Sequence, residues 1–127
     1  MRARAIHNKF EGCPPMIANF GSPTSFTGIS IGKEYDVHAL SVFQVIVFFQ
    51  IVTDVRIISW LPTWFFELCE LHMPSDWICN LLTGDLQMVI GSDFVATDEA
   101  SYNLMVELDV DAVAKFWQRT AANSPTS

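Results

Sequence analysis

"WICNLLTGDLQMVIG", Trp77 to Gly91, is the stretch on which the fold turns. Two apolar runs flank Thr83-Gly84-Asp85, and a glycine in a short polar link accepts the positive φ that a tight reversal needs. The pattern predicts a β-hairpin, and with it a protein built mainly from antiparallel strands. Upstream, "EYDVHALSVF" and "VIVFFQIV" are rich in β-branched and aromatic residues, which favour pleated strands over helices. No Gly, Pro or Asn separates them, so the choice lies between one long bent strand and a hairpin near Ser41–Gln44; we take the hairpin.

The rest of the chain extends this reading. "RARAIH" alternates charged with small or apolar residues and reads as a first strand. Residues 11–28 carry Pro14, Pro15, Gly21, Pro23 and Gly28 and read as a long loop, either laid over the core by Met16, Ile17, Phe20 and Phe26 or itself functional. "TDVRIISWLP" reads as loop and "TWFFELCEL" as a strand entered just after Pro62. "SYNLMVEL" alternates with the period of a half-buried strand, with a helix from Thr97 as the competing reading. "DVDAVAKFWQRTAA" places Val110, Val113, Ala114 and Trp117 at helical spacing, with Asp109 as N-cap and Asp111 in the first turn. The expected fold is mainly β (α+β): a small antiparallel sheet or partly open barrel of six to seven strands, with one C-terminal amphipathic helix; an α+β sandwich is the alternative. Residues 1–122 are expected to form a single globular domain and 123–127 a flexible tail.

Composition supports a packed core. Half of the 127 residues are apolar, and ten Phe, four Trp and two Tyr are present. The longest apolar run, Ala39–Val52, contains Gln44 and Gln50 and falls short of the ~20 residues that a membrane helix needs. No apolar stretch of signal-peptide type follows the basic "MRARAIHNKF", and three cysteines form no paired framework. The expectation is a cytoplasmic protein with no membrane partner.

Charge is unevenly placed within the net −7. From Ile57 to Ala114 there is no Lys or Arg, while ten acids occur: Glu67, Glu70, Asp76, Asp85, Asp93, Asp98, Glu99, Glu107, Asp109 and Asp111. Such a span repels nucleic acid and attracts cationic partners, although a negative charge also serves solubility alone.

No motif specifies a reaction, and no catalytic residue is assigned. Cys69 and His72 are spaced three apart, with Cys79 beyond, but a structural zinc site wants two close ligand pairs, and Cys13 or His38 would have to come from afar. Asp109-Val-Asp111 begins like a calcium loop but lacks the glycine and the later ligands. No G-x-S-x-G elbow or phosphate-binding glycine loop is present, Cys79 reads as a core thiol, and neither metal nor cofactor is expected. Adjacent Phe65 and Phe66 on a strand would face opposite ways, so one of them needs a second covered face or a partner.

In size, acidity and makeup over its whole length the chain resembles bacterial immunity proteins. The resemblance implies a cytoplasmic inhibitor that blocks a cognate toxin domain, often a basic nuclease, with carboxylates at the toxin's active site. The expected partner is thus a basic protein rather than a nucleic acid. Contact falls to Asp93, Asp98, Glu99, Glu107 and Glu70, with Trp64 or Trp77 as aromatic anchor. The alternative is a small-ligand or enzymatic module with a pocket beneath residues 11–28, involving His38, His72 or Cys69.

Overall fold

The computed structural model describes residues 1–123. Among the described residues eight strands, all paired antiparallel, form two sheets, and neither closes into a barrel. A sheet of three has the order β2 (Glu34–Asp36), β1 (Arg2–Ala5), β6 (Phe66–Glu70). A sheet of five has the order β5 (Ile58–Pro62), β4 (Ile46–Val52), β3 (Ala39–Phe43), β8 (Leu86–Gly91), β7 (Ile78–Leu81). A short helical turn, α1 (Pro15–Ala18), lies in the 11–28 segment, and three helices close the chain: α2 (Asp93–Ala96), α3 (Glu99–Val106) and α4 (Val110–Asn123). Mainly β with antiparallel sheets is therefore correct, whereas six to seven strands and a single C-terminal helix are not. Of the expected 123–127 tail, Asn123 belongs to α4 and 124–127 lie outside the described residues.

The five-stranded sheet is covered on both faces, which explains the apolar character of β4. Phe49 and Ile51, with Leu61 of β5, pack into one core together with Ala3, Ala5, Tyr35, Phe65 and Phe66. On the other face, Ala39, Ile58 and Val89 pack against Val95, Tyr102, Met105, Ala112 and Phe116 of the helical layer. Phe65 and Phe66 are both buried in the first core, so neither needs a partner. Phe65 is not on a strand at all; it ends a 3-10 turn, Thr63–Phe65, that carries the chain from one sheet to the other.

The three hairpins differ in how legible their turns are. The 77–91 hairpin forms as expected, with the Leu82 N–H donated to the Gln87 carbonyl. Between β3 and β4, Gln44 and Val45 both take positive φ (49° and 62°), a conformation usually given to Asn-Gly. A β-branched residue there is strained, and neighbours hold it: Gln44 N–H donates to the Asp85 carbonyl (2.8 Å) and Val45 N–H to Gln87 Oε1 (2.9 Å). The stretch read as loop, "TDVRIISWLP", instead supplies β5, because pairing with β4 from Ile58 to Pro62 outweighs its weak alternation.

Four further expectations fail in whole or in part. "SYNLMVEL" is helix α3, because Asp98 caps it and burial falls on Tyr102 and Met105, three apart, while Leu104 and Val106 stay exposed. On α4 the inward face is Ala112, Val113, Phe116 and Trp117, with Val110 82% exposed, so the stripe is rotated from the one expected. In the 11–28 segment Ile17 and Phe20 pack on the core, whereas Met16 and Phe26 point outward. Cys79, read as core, is exposed on the edge strand β7. Gly91 is required by close approach: a Cβ there would lie 2.9 Å from Ala39 Cβ and 3.0 Å from Val95 Cγ1, where β8 runs into α2.

A small polar cluster fixes the entry to β2. Asp54, in the β4–β5 turn, accepts from Lys33 Nζ (2.6 Å), Ser30 Oγ (2.5 Å) and the Tyr35 hydroxyl (2.9 Å). These donors, Lys33 foremost, hold its carboxyl down at about 2 against an ordinary 3.8. A depressed carboxyl stabilises the fold above its unfolded pKa and loses that contribution as pH falls through the folded value, here between about 4 and 2. A carboxyl 13C titration is expected to place the Asp54 midpoint near 2, and Lys33→Met to raise it. Phe65→Ala, which empties the centre of the first core, is expected to cost about 3–5 kcal/mol in urea unfolding.

Candidate functional site

The acids of residues 92–112 are the chain's densest chemical feature, and the structure gives each a place. Asp93 opens α2, Asp98 caps α3 and Glu99 follows it; Asp109 precedes α4 and Asp111 lies in its first turn. Asp98 Oδ1 accepts the Ser101 N–H at 2.7 Å, and Asp109 Oδ2 accepts the Ala112 N–H at 3.2 Å. The assignment of Asp109 as a cap is correct, and Asp98, expected only as a contact residue, is a cap too. The Ser101 amide, and then its hydroxyl, hold the Asp98 carboxyl below the usual range. Five of the six carboxylates thus sit where a helix start favours negative charge; Glu107, at the C-terminal end of α3, is the exception.

Helices α3 and α4 meet in a compact joint. Leu108 takes φ 55°, the Leu108 N–H donates to the Met105 carbonyl and the Asp109 N–H to the Leu104 carbonyl (2.9 Å). This is a Schellman closure with leucine where glycine is usual. It turns the chain so that Leu104, Val106, Leu108 and Val110 are exposed beside Glu107 and Asp111. These apolar neighbours escaped the sequence reading, because a strand period put Leu104, Val106 and Leu108 on a buried face.

The carboxylates meet few cations. Arg2 pairs with Asp36, Arg4 with Glu67, Lys33 with Asp54 and Arg119 with Asp76, so four of the seven basic residues are engaged outside residues 92–112. Arg56 lies over the Trp117 ring, 4.7 Å from its centroid. Among the described residues none of the six acids is in an ion pair, although Asp93 shares a shallow groove with Lys115 and Arg119.

The other predicted contact residues lie elsewhere. Glu70 ends β6 opposite Arg2 on the three-stranded sheet, and Trp64 is half-buried, stacked on His7 at 3.9 Å. Trp77 is half-buried and lines a cleft between the sheet and α4 together with His38, Gln50, Phe94 and Phe116. The structure therefore brings Asp93, Asp98, Glu99 and Glu107 into one layer and separates them from Glu70 and Trp64. Of the residues considered for a pocket, His38 lines this cleft; His72 and Cys69 are exposed and do not, and residues 11–28 do not cover it. Among the described residues no group of three His, Cys, Asp or Glu side chains could hold a metal ion, and no helix is long and apolar enough to cross a membrane.

Comparison with known proteins leaves the chain on its own: no family model, curated protein or solved structure matches it. Asp98→Ala is expected to lower the melting temperature and speed amide exchange in the first turn of α3, whereas Asp98→Asn, which can still cap, should change both little. Because its carboxyl is depressed, the wild-type advantage over the alanine variant should persist at neutral pH and shrink as acid protonates Asp98.

Proposed function

We propose that the chain is an acidic protein-binding module that docks a basic protein on its helical layer. On this reading the partner is a bacterial toxin domain held inactive, as the likeness to immunity proteins implies. The observation that carries the proposal is the segregation of charge. Among the described residues the acids at the starts and joints of α2, α3 and α4 are left without ion pairs, while four of the seven cations, Arg119 of α4 among them, are paired with acids outside residues 92–112.

Helix-start carboxylates have a structural reason to exist, but their field reaches solvent all the same. Asp98, Glu99, Glu107 and Asp111 are exposed, and Leu108 and Val110 offer apolar contact beside them. An apolar centre within a charged rim is the arrangement that gives a complex both a slow dissociation and a steered association. Asp93, close to Lys115 and Arg119, contributes less to the field than the acids at the far joints.

The decisive experiment isolates the partner from the native host, purifies it and follows association by stopped flow at several ionic strengths. The triple variant Asp93→Lys, Glu99→Lys, Glu107→Lys leaves both helix caps intact. It is expected to associate at least about tenfold more slowly at low salt, with a flatter salt dependence. A wild-type rate indifferent to salt would sink the proposal, as would a partner whose toxic activity is unchanged in the complex.

A further inference from the structure

The cleft behind α4 has a chemistry that the acidic layer does not use. It encloses about 290 Å³ and is walled by Trp77, Phe94 and Phe116. Gln50 projects from β4 and lines it while only 1% exposed, and its Nε2 has no hydrogen-bond partner. Gln50 lies opposite Ala39 and Trp60 in register, in the middle of the five-stranded sheet, where an apolar residue would pack without leaving a donor unused. Trp60 Nε1, on the residue opposite Gln50 in β5, is a second buried donor without a partner.

The surrounding groups narrow what such an amide could meet. His38 lies beside it, its ring edge-on to Phe116 at 4.8 Å. Burial pushes the imidazole below its usual value, the N-terminal ammonium adds to this, and Asp36 opposes it. A neutral imidazole offers one donor and one acceptor. The cations at the mouth are all engaged, Arg2 by Asp36, Arg119 by Asp76 and the Met1 ammonium by the His72 carbonyl. Aromatic walls, a neutral imidazole and an amide donor suit a flat uncharged ring with polar edges, and the volume suits one or two fused rings.

We infer that this cleft binds a small neutral heterocycle, of the size and edge pattern of a free pyrimidine or purine base, with a ring carbonyl accepting from Gln50 Nε2 and the ring stacked among Trp77, Phe94 and Phe116. The two polar groups invoked, Gln50 and His38, belong to β4 and to the link between β2 and β3, and none of the acids of residues 92–112 lines the cleft.

Uracil and hypoxanthine serve as probes, with toluene and benzoate as apolar and anionic controls, in NMR titrations that follow the Gln50 side-chain amide and the His38 ring. The expected result is a saturable shift of both signals by at least one base, and by neither control. Gln50→Met, which keeps the volume and removes the amide, should weaken base binding at least tenfold. Should that variant fail to fold, the wild-type titration decides alone. Three outcomes overturn the inference: no saturable shift with either base up to its solubility, tighter binding of toluene or benzoate than of the bases, or unchanged base binding by a folded Gln50→Met.

Discussion

The three-residue turn at Thr63–Phe65 is the constraint on which the rest of the molecule depends. Pro62 ends β5 in one sheet and Phe66 begins β6 in the other, so the two sheets are joined through almost no chain. The Phe65 carbonyl accepts from both Ile6 and His7, which fixes where β1 leaves the small sheet. Its ring, fully buried, meets Phe10 edge-on at 4.9 Å and so draws in the start of the 11–28 segment. A short link keeps the loop-closure cost low and leaves the relative placement of the sheets to packing rather than to chance. With Ala3 and Ala5 as the inward residues of β1, the large rings fill the space between the layers.

From that corner follows the doubly buried β4. Once the small sheet covers one face, the opposite face still carries Ala39, Ile58 and Val89, which cannot be left in water without losing the burial that offsets chain entropy. The last third of the chain supplies the cover in three short helices rather than one long one. Each helix start exposes backbone N–H groups that need acceptors, and the sequence meets the need with Asp98 and Asp109 and with further acids in the first turns. The negative surface is thus a consequence of how the sheet is covered, and a partner that reads it reads a structural necessity.

That origin explains what the sequence made legible. The 77–91 hairpin, β1, the apolar strands upstream and the N-terminus of α4 all carry local signals: a turn glycine, strict alternation or a capping aspartate. The Gln44–Val45 turn has none, because its strain is borne by contacts to Asp85 and Gln87 that are distant in sequence. Helix α3 was masked because Tyr102, Leu104, Val106 and Leu108 fit an alternating period as well as Tyr102 and Met105 fit a helical one. Of the acids, Asp109 and Asp111 could be assigned to the start of the last helix, whereas Asp98 could not be assigned as a cap while α3 was read as a strand. Gln50 read as an interruption of an apolar run, and only pairing with Ala39 and Trp60 turns it into a buried amide at a cleft.

Helix α4 is the wall shared by the two surfaces. Its N-cap Asp109 and its first-turn Asp111 belong to the acidic layer, and two turns later Phe116 and Arg119 line the cleft. Phe116 is 1% exposed and packed on both the sheet and the His38 ring, so α4 cannot slide without disturbing the cleft. Tyr102 and Met105 of α3 are packed into the same core, which ties the joint at Leu108 to that placement. A protein docked on the acidic layer and a ring held in the cleft would influence one another through α4 and through α2, where Asp93 belongs to the layer and Phe94 to the cleft. Whatever coupling results is equal in both directions, because a linked binding free energy is a property of the pair of sites. A rigidly seated α4 carries little of that coupling, and its burial at Ala112 and Phe116 argues for that limit.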